Sequence, residues 1–377
     1  MIPGDKDWEV VTLDDLNTVG LRSTANFLNA QFPGAYYPEC TPETFSWKLG
    51  SNNPAGRGFI TVAISNGEVI GVFSLTRKTL IMKGEILNAG EIGDAFTHPN
   101  YRRNGRCITP RNHLNVSGEY YDKSVFGRLV AETLFRARES GVEFVYGTPN
   151  RVARPSYLKR LGFIECSNGK IYSKYFLTEK FDRPRLFSLL VKRVSKLNYF
   201  YCKTFIHLHF GKDAVKPIED KKLVMEVIKR IKFADYSESQ FGMLLSEEYL
   251  MSRYVNHPTT NYFFYEVQSK NQTLGIIIAC ELTRASGIKT LVVSDWLIAN
   301  PVLTKRFHLV LGCLRGFTEK SQTVSLWQGS KTAKAKFLGS GMFSRKTVSI
   351  VGRSLHDQKP TQDYVFTDFH FGWSDNG

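Results

Sequence analysis

The stretch GEIGDAFTHPNYRRNGRC, residues 90–107, decides how the rest of the chain is read. An apolar-rich run, ILNAGEIGDAFTH (86–98), reads as a strand that stops at His98-Pro99. Behind it come Tyr101, Arg102, Arg103, Asn104, Gly105 and Arg106. A glycine behind a strand marks a tight turn, and adjacent guanidinium forks in that turn suit an anion. Further on, SVFGRLVAETLFRARESG (124–141) reads as an amphipathic helix, with Phe126, Leu129, Val130, Leu134 and Ala137 on one face and Gly141 at its end. The free N–H groups and dipole at such a helix start add a second anion-binding element, with Asp122 or Ser124 as its cap.

Outward from this stretch, the chain alternates helix and strand signals. VEFVYGT (142–148) reads as a buried strand, RPSYLKRLG (154–162) as a short helix, and FIECSNGKIYSKYFL as a closing hairpin. Upstream, Leu16, Val19, Leu21, Ala25 and Leu28 predict a helix over 14–31. Thr41-Pro42-Glu43-Thr44 starts a second, which carries Phe45 and Trp47 and breaks at Gly50-Ser51-Asn52-Asn53-Pro54. GFITVAIS and EVIGVFSLTRKTLIM flank Asn66-Gly67, a strong hairpin signal because both turn residues accept positive φ. After a basic region at 178–217 the pattern restarts: a basic helix KKLVMEVIKRIK, the segment SEEYLMSRYVNHPTTNYFFYEV, strands at 274–284 and 290–298, a helix around 302–319 and a strand TVSLWQG. This order echoes the first part and predicts a weak internal repeat. The expectation is a mixed α/β (α+β-like) fold in two domains, 1–177 and 218–377, each a mostly antiparallel sheet flanked by helices. Within the linking region, 184–205 is helical in period. It reads either as a membrane-surface helix or as a helix packed between domains, and the second is preferred because a connecting helix must bury its apolar face.

Composition bounds the partners. A chain of 377 residues exceeds what one hydrophobic core usually serves. The net charge of +15 favours anionic partners, with plain solubility as the alternative. The basic residues are spread rather than clustered with aromatics, which argues against nucleic acid. The six cysteines form no C-x-x-C pair and the eight histidines show no ligand spacing, so reduced thiols and no metal are expected. MIPGDKDWEVV is unlike a signal peptide, and no run reaches the roughly 18 apolar residues of a membrane span. A cytoplasmic protein without stable membrane insertion is therefore expected.

The two central motifs resemble the GCN5-related N-acetyltransferase (GNAT) superfamily. Its strand ending D-x-x-V-H-P-x-Y-R and its turn R-x-x-G-x-G/A bind coenzyme A; Asp94 to Arg102 fit the first, with Thr97 in place of valine. Its segment N-x-x-A…Y-x-x-x-G-F lies beside the thioester; Asn150, Ala153 and Gly162-Phe163 fit it. FSWKLGSNNPAGRG, the YGTPN strand end, SRYVNHPTTNYFFYEV, VSDWLIA and GWSDNG further resemble a two-domain bacterial subgroup. That subgroup includes N-acyltransferases of dTDP-linked amino sugars in surface-polysaccharide (O-antigen) synthesis. The chain departs from the family in two places. Cys107 stands at the second small position of the turn, and ITPRNHLNVSGEYYD (108–122) intervenes before the helix. That insertion either brings Arg106 or Arg111 to the 3′-phosphate of the cofactor or forms a surface loop.

The resemblance implies acyl-CoA as the cofactor, bound by Phe96, Thr97, Arg102, Arg103, Asn104, Gly105, Arg106, Ser124, Phe126 and Asn150. Asn150 has helix capping as its other reading. In the reaction an amine attacks a thioester, an oxyanion forms and thiolate leaves, so a nearby carboxylate or histidine must take the proton. Candidates are Asp94, Glu91 and His98. By strand parity Asp94 and Glu91 are expected on opposite faces. Tyr157 is the candidate acid for the thiolate, but it sits one residue, about 100° of helix rotation, from the family position, and packing is its other reading. Phe45, Trp47, Asn53, Arg253, Asp295 and Trp296 are candidates for acceptor binding, with core and turn roles as alternatives. The expected activity is N-acyl transfer, acetyl or 3-hydroxybutanoyl, to a nucleotide-linked amino sugar. A peptide, protein or aminoacyl acceptor and a non-catalytic CoA-binding protein stand as alternatives.

Overall fold

The computed structural model describes residues 8–13, 18–31, 40–102, 124–175, 185–212, 214–231, 241–270, 272–283, 289–298, 307–314, 323–328 and 343–355. The first half runs β1 (Glu9–Thr12), α1 (Thr18–Gln31), α2 (Pro42–Leu49), β2 (Phe59–Ser65), β3 (Glu68–Met82), β4 (Glu85–Thr97), α3 (Val125–Glu139), β5 (Phe144–Gly147), α4 (Arg154–Arg160) and β6 (Ile164–Tyr175). Helix α5 (Arg185–Phe210) follows. The second half runs β7 (Val215–Ile218), α6 (Lys221–Arg230), β8 (Phe241–Met243), α7 (Glu247–Leu250), β9 (Tyr262–Ser269), β10 (Gln272–Thr283), β11 (Lys289–Ile298), α8 (Phe307–Cys313), β12 (Thr323–Gln328) and β13 (Phe343–Ser354). The fold is mixed α/β, as the alternation of periods predicts.

Local chemistry accounts for the elements nearest the site. Thr41 caps α2, its hydroxyl accepting from the Thr44 N–H at 3.2 Å, with Pro42 in the first helical position. Asn66 (φ 52°) and Gly67 (φ 77°) turn β2 into β3. Ser124 caps α3 by accepting from the Gly127 N–H at 3.1 Å.

The strands join one sheet in the order β1-β2-β3-β4-β5-β13-β6-β12-β11-β10-β9-β7, with β8 added to the end of β3. FIECSNGKIYSKYFL is expected as a hairpin; instead β6 runs through Ser167-Asn168-Gly169 as one strand. Its antiparallel partners come from far away, β13 on one side and β12 on the other. Thus β13 supplies what a local hairpin would have supplied, between β5 and β6.

The two halves repeat one device. β4 pairs in parallel with β5 only over Ala89–Glu91, and β11 with β12 only over Thr290–Val293. Just beyond, each earlier strand bulges. Phe73 faces Ala95 and Leu75 faces Ile92, so Gly93 and Asp94 share the place opposite Ser74. Likewise Ile278 faces Asp295 and Ala279 faces Val293, which leaves Ser294 as the extra residue. The bulged strand then diverges from its parallel neighbour in both halves.

Helices cover both faces. In the first half, α1 and α2 bury Leu21, Ala25, Leu28, Phe45 and Leu49 against Ile60, Val62 and Val72. On the opposite face α3 buries Val125, Leu129 and Val130 against Phe73, Leu75 and Ile92. In the second half Cys202 and Ile206 of α5 join Leu309 and Val310 of α8 over Ile277, Val293 and Trp296. Among the described residues no helix is long and apolar enough to cross a membrane.

Candidate active site

The bulge in β4 overturns the parity expectation for its carboxylates. Ser74, Thr76 and Lys78 alternate along β3 and so share a face. Asp94 accepts from the Ser74 hydroxyl at 3.0 Å, and Glu91 pairs with the Lys78 ammonium at 3.4 Å. The extra residue at Gly93 has rotated Asp94 onto the same face as Glu91. A glycine is needed there, because a Cβ on residue 93 would sit 2.7 Å from the Ser74 hydroxyl oxygen. That oxygen also accepts from the Asp94 N–H at 2.8 Å, so Ser74 holds the bulge from both sides.

Each carboxylate has a lysine. Lys48 of α2, which is buried, forms an ion pair with Asp94. The Glu91 side chain is fully buried, whereas that of Asp94 keeps 16% of its surface exposed. The bonds from Lys48 and Ser74 both fall on Oδ2 of Asp94. Its Oδ1 makes no hydrogen bond among the described residues. Directly opposite Glu91, the buried Thr76 hydroxyl has no partner among them either.

Thr76, Lys48 and Lys78 line a pocket of about 300 Å³. Its other walls include Trp47, Asn53, Tyr249 and Arg253, so the two halves of the chain meet across it. The Trp47 indole N–H donates to the Ser252 carbonyl at 2.8 Å, and the Arg253 guanidinium lies 5.3 Å from the Trp47 ring. Asn53 spends its amide on the loop: its NH2 donates to the Lys48 and Arg77 carbonyls, and its oxygen accepts from the Ala55 N–H. Of the six acceptor candidates, Trp47, Asn53 and Arg253 are thus brought together. Phe45 is core beneath α2. Trp296 is core beneath α5 and α8. Asp295 is fully buried and accepts from the Tyr254 hydroxyl at 3.0 Å.

The other candidates gather where β4 leaves β5. The first N–H groups of α3, those of Val125 and Phe126, have no acceptor within the helix. Arg160 of α4 reaches the same end, 3.3 Å from the Ser124 hydroxyl. Arg102 donates through Nε to the Thr97 carbonyl at 2.9 Å and lies 4.7 Å from the Phe96 ring. The terminal nitrogens of its fork have no partner among the described residues. The Thr97 hydroxyl is buried and unpartnered among them as well. These groups fit a phosphorylated, amide-bearing cofactor arm. Arg103, Asn104, Gly105, Arg106 and the 108–122 insertion lie outside the described residues.

Three candidates have structural occupations. His98 caps the turn that follows it, its Nδ1 accepting from the Asn100 N–H at 3.3 Å. Asn150 accepts from the N–H groups of Val152 and Ala153 in the turn that leads into α4, whose own cap position is Ala153 with no side-chain bond. Tyr157 is buried in the apolar cluster between Phe126 and Phe163, and burial raises its phenol well above the ordinary value. The one-residue offset of Tyr157 is the physical reason: it turns the ring into the core. Lys48, Ser74, Thr76, Lys78 and Arg160 escaped the sequence reading. For Ser74, Thr76 and Lys78 the signal was the run of polar residues at alternate positions of an otherwise buried strand; Lys48 and Arg160 had none.

Residues 41–165 match the family described as Acetyltransferase (GNAT) domain. The bulge, the strand divergence and the helix start of the first half all lie inside the matched segment. Three solved structures share the fold of nearly the whole chain. A GCN5-related N-acetyltransferase from Anabaena variabilis is 12% identical with a TM-score of 0.55, covering 93% of this chain and 73% of its own. A probable N-acyltransferase from Enterococcus faecalis is 12% identical with a TM-score of 0.57, over 95% and 74%. Saccharomyces cerevisiae N-myristoyltransferase with bound myristoyl-CoA is 12% identical with a TM-score of 0.58, over 93% and 83%. The curated proteins hold no match to this chain.

Proposed function

We propose that the protein is an acyl-CoA-dependent N-acyltransferase whose acceptor amine enters the pocket between α2, β3 and the segment before β9. One observation carries the reading: Asp94, whose Oδ1 is unengaged among the described residues, is held where β4 parts from β5 by Lys48, a lining residue of that pocket. Acyl-CoA supplies the activated acyl thioester. The N-terminus of α3, Arg102 and Arg160 hold its phosphates. Asp94, fixed by Lys48 and Ser74, orients the acceptor ammonium through Oδ1 and takes its proton, directly or through one water. Glu91 neutralises Lys78 and is too buried to meet substrate.

The acceptor in this reading is a nucleotide-linked amino sugar of the dTDP class, destined for surface polysaccharide. Support comes from the resemblance of FSWKLGSNNPAGRG and SRYVNHPTTNYFFYEV, from the net charge of +15, and from the pocket lining, where Trp47 and Tyr249 offer rings and Arg253 a cation. The test is calorimetric titration with coenzyme A, followed by acyl transfer to a panel of dTDP- and UDP-amino sugars and peptide amines. Binding lost in Arg102→Ala, with transfer to an amino sugar, is the expected result. Transfer to peptide amines alone would overturn the sugar assignment, and no CoA binding would overturn the enzyme assignment.

A further inference from the structure

Helix α5 buries one side, and the other side is exposed, with no partner among the described residues. At about 100° per residue, Cys202 and Ile206 point one way, and both are buried against α8 and the second sheet half. Leu197, Tyr201 and Leu208 fall within about 40° of one another on the opposite side, with Phe200 about 60° from Leu197. Their exposures are 70% for Leu197, 71% for Phe200, 60% for Tyr201 and 74% for Leu208. Four large apolar side chains on one side of one helix form a strip, interrupted by the exposed Thr204, and are unlike the scattered single residues common on soluble surfaces.

Charge specifies the occupant. The sequence from Arg183 to Lys212 contains no Asp or Glu, while Arg185, Lys192, Arg193, Lys196 and Lys203 all lie in the helix. Arg193 is exposed in line with the strip, about one turn before Leu197, and Lys203 is exposed beside it, about 60° beyond Phe200. Leucines and aromatics along one strip, flanked by cations and free of carboxylates, match the boundary between acyl chains and anionic headgroups. A second copy of the chain fits poorly. A two-fold contact through this face would bring the Arg193 and Lys203 cations of both copies together, with no helix carboxylate to neutralise them. The helix is not long and apolar enough to cross a bilayer, so it lies along the surface.

We infer that the outward face of α5 docks the protein on an anionic lipid surface, with Leu197, Phe200, Tyr201 and Leu208 in the acyl boundary and Arg193 and Lys203 at the phosphates. The inference is independent of acyl transfer. It adopts for the outward side the membrane-surface reading of 184–205, while the inward side is packed as a connecting helix must be.

The test is flotation of the full chain with vesicles of phosphatidylcholine alone or mixed with phosphatidylglycerol. Binding is expected only to the anionic vesicles, falling about tenfold or more as salt is raised. The doubly substituted Leu197→Glu, Leu208→Glu chain should lose about tenfold or more of that binding, and Lys203→Glu several-fold. An unchanged thermal midpoint shows that the variants fold. No binding to anionic vesicles, or binding undiminished by the double substitution, would overturn the inference. A concentration-dependent dimer that the same substitutions abolish, without vesicle binding, would assign the face to a second copy and overturn it equally.

Discussion

Gly93-Asp94 in β4 and Ser294-Asp295 in β11 occupy the same place in the two halves, and they differ in what each carboxylate leaves open. Both follow a short parallel ladder, both sit at a one-residue bulge, and both carry an aspartate. In the first half Asp94 keeps one oxygen unengaged among the described residues, and its partner Lys48 lines a cavity shared by both halves. In the second half both oxygens of Asp295 are taken, Oδ2 by the Tyr254 hydroxyl and Oδ1 by the Trp296 N–H at 2.9 Å. The next residue completes the contrast: Ala95 is small, whereas Trp296 drives its ring into the core under α5 and α8. The backbone device is common to both halves, and chemistry depends on what the neighbouring side chains leave open.

Substitutions can break this contrast in order of size. Lys78→Ala leaves the fully buried Glu91 without its cation, so unfolding by denaturant should show a loss of about 3–5 kcal/mol. Gly93→Ala forces the Ser74 hydroxyl away and with it two bonds to Asp94, a loss of about 1–3 kcal/mol that also lowers kcat. Ser294→Ala at the matching bulge should cost under about 1 kcal/mol and leave kcat unchanged, since Ser294 holds only a 3.7 Å contact to the Cys280 thiol.

The sealed half should also report on pH. Burial, then the Asp295 carboxylate, raise the Tyr254 phenol well above its ordinary value. A raised value means that its contribution is full below the unfolded value of about 10 and is lost as pH rises beyond it. From that point stability should fall by up to about 1.4 kcal/mol per pH unit for this proton, seen as a declining thermal midpoint. Tyr254→Phe removes that component and costs about 1–3 kcal/mol at neutral pH by leaving Asp295 underbonded, with kcat unchanged. Trp47→Phe loses one bond to Ser252, about 1 kcal/mol, and should raise the acceptor KM more than it lowers kcat.

Much of this contrast was legible where the signal is local. Thr41-Pro42, Asn66-Gly67 and the α3 stripe announce their elements because caps, turns and periodicity act within a few residues. The exchange that places β13 between β5 and β6 joins residues more than a domain apart, and Ser167-Asn168-Gly169 misleads because it has turn composition inside a strand. The site divides similarly. Asp94 and Arg102 stood in a recognisable motif, and Trp47, Asn53 and Arg253, three of the acceptor candidates, line one pocket. Strand parity failed at the β4 bulge, because one extra residue exchanges faces for everything beyond it. Lys48 was invisible for the same reason: its partner is known only once the bulge is known.

The most direct test sets the two aspartates side by side. Thiol release from acetyl-CoA, with whichever amine the acceptor screen identifies, should be measured for the native chain, Asp94→Asn and Asp295→Asn. The account predicts that Asp94→Asn lowers kcat/KM by about 10²–10⁴ with the fold intact, while Asp295→Asn changes it less than about threefold. Full activity in Asp94→Asn, or a comparable loss in Asp295→Asn, would contradict it.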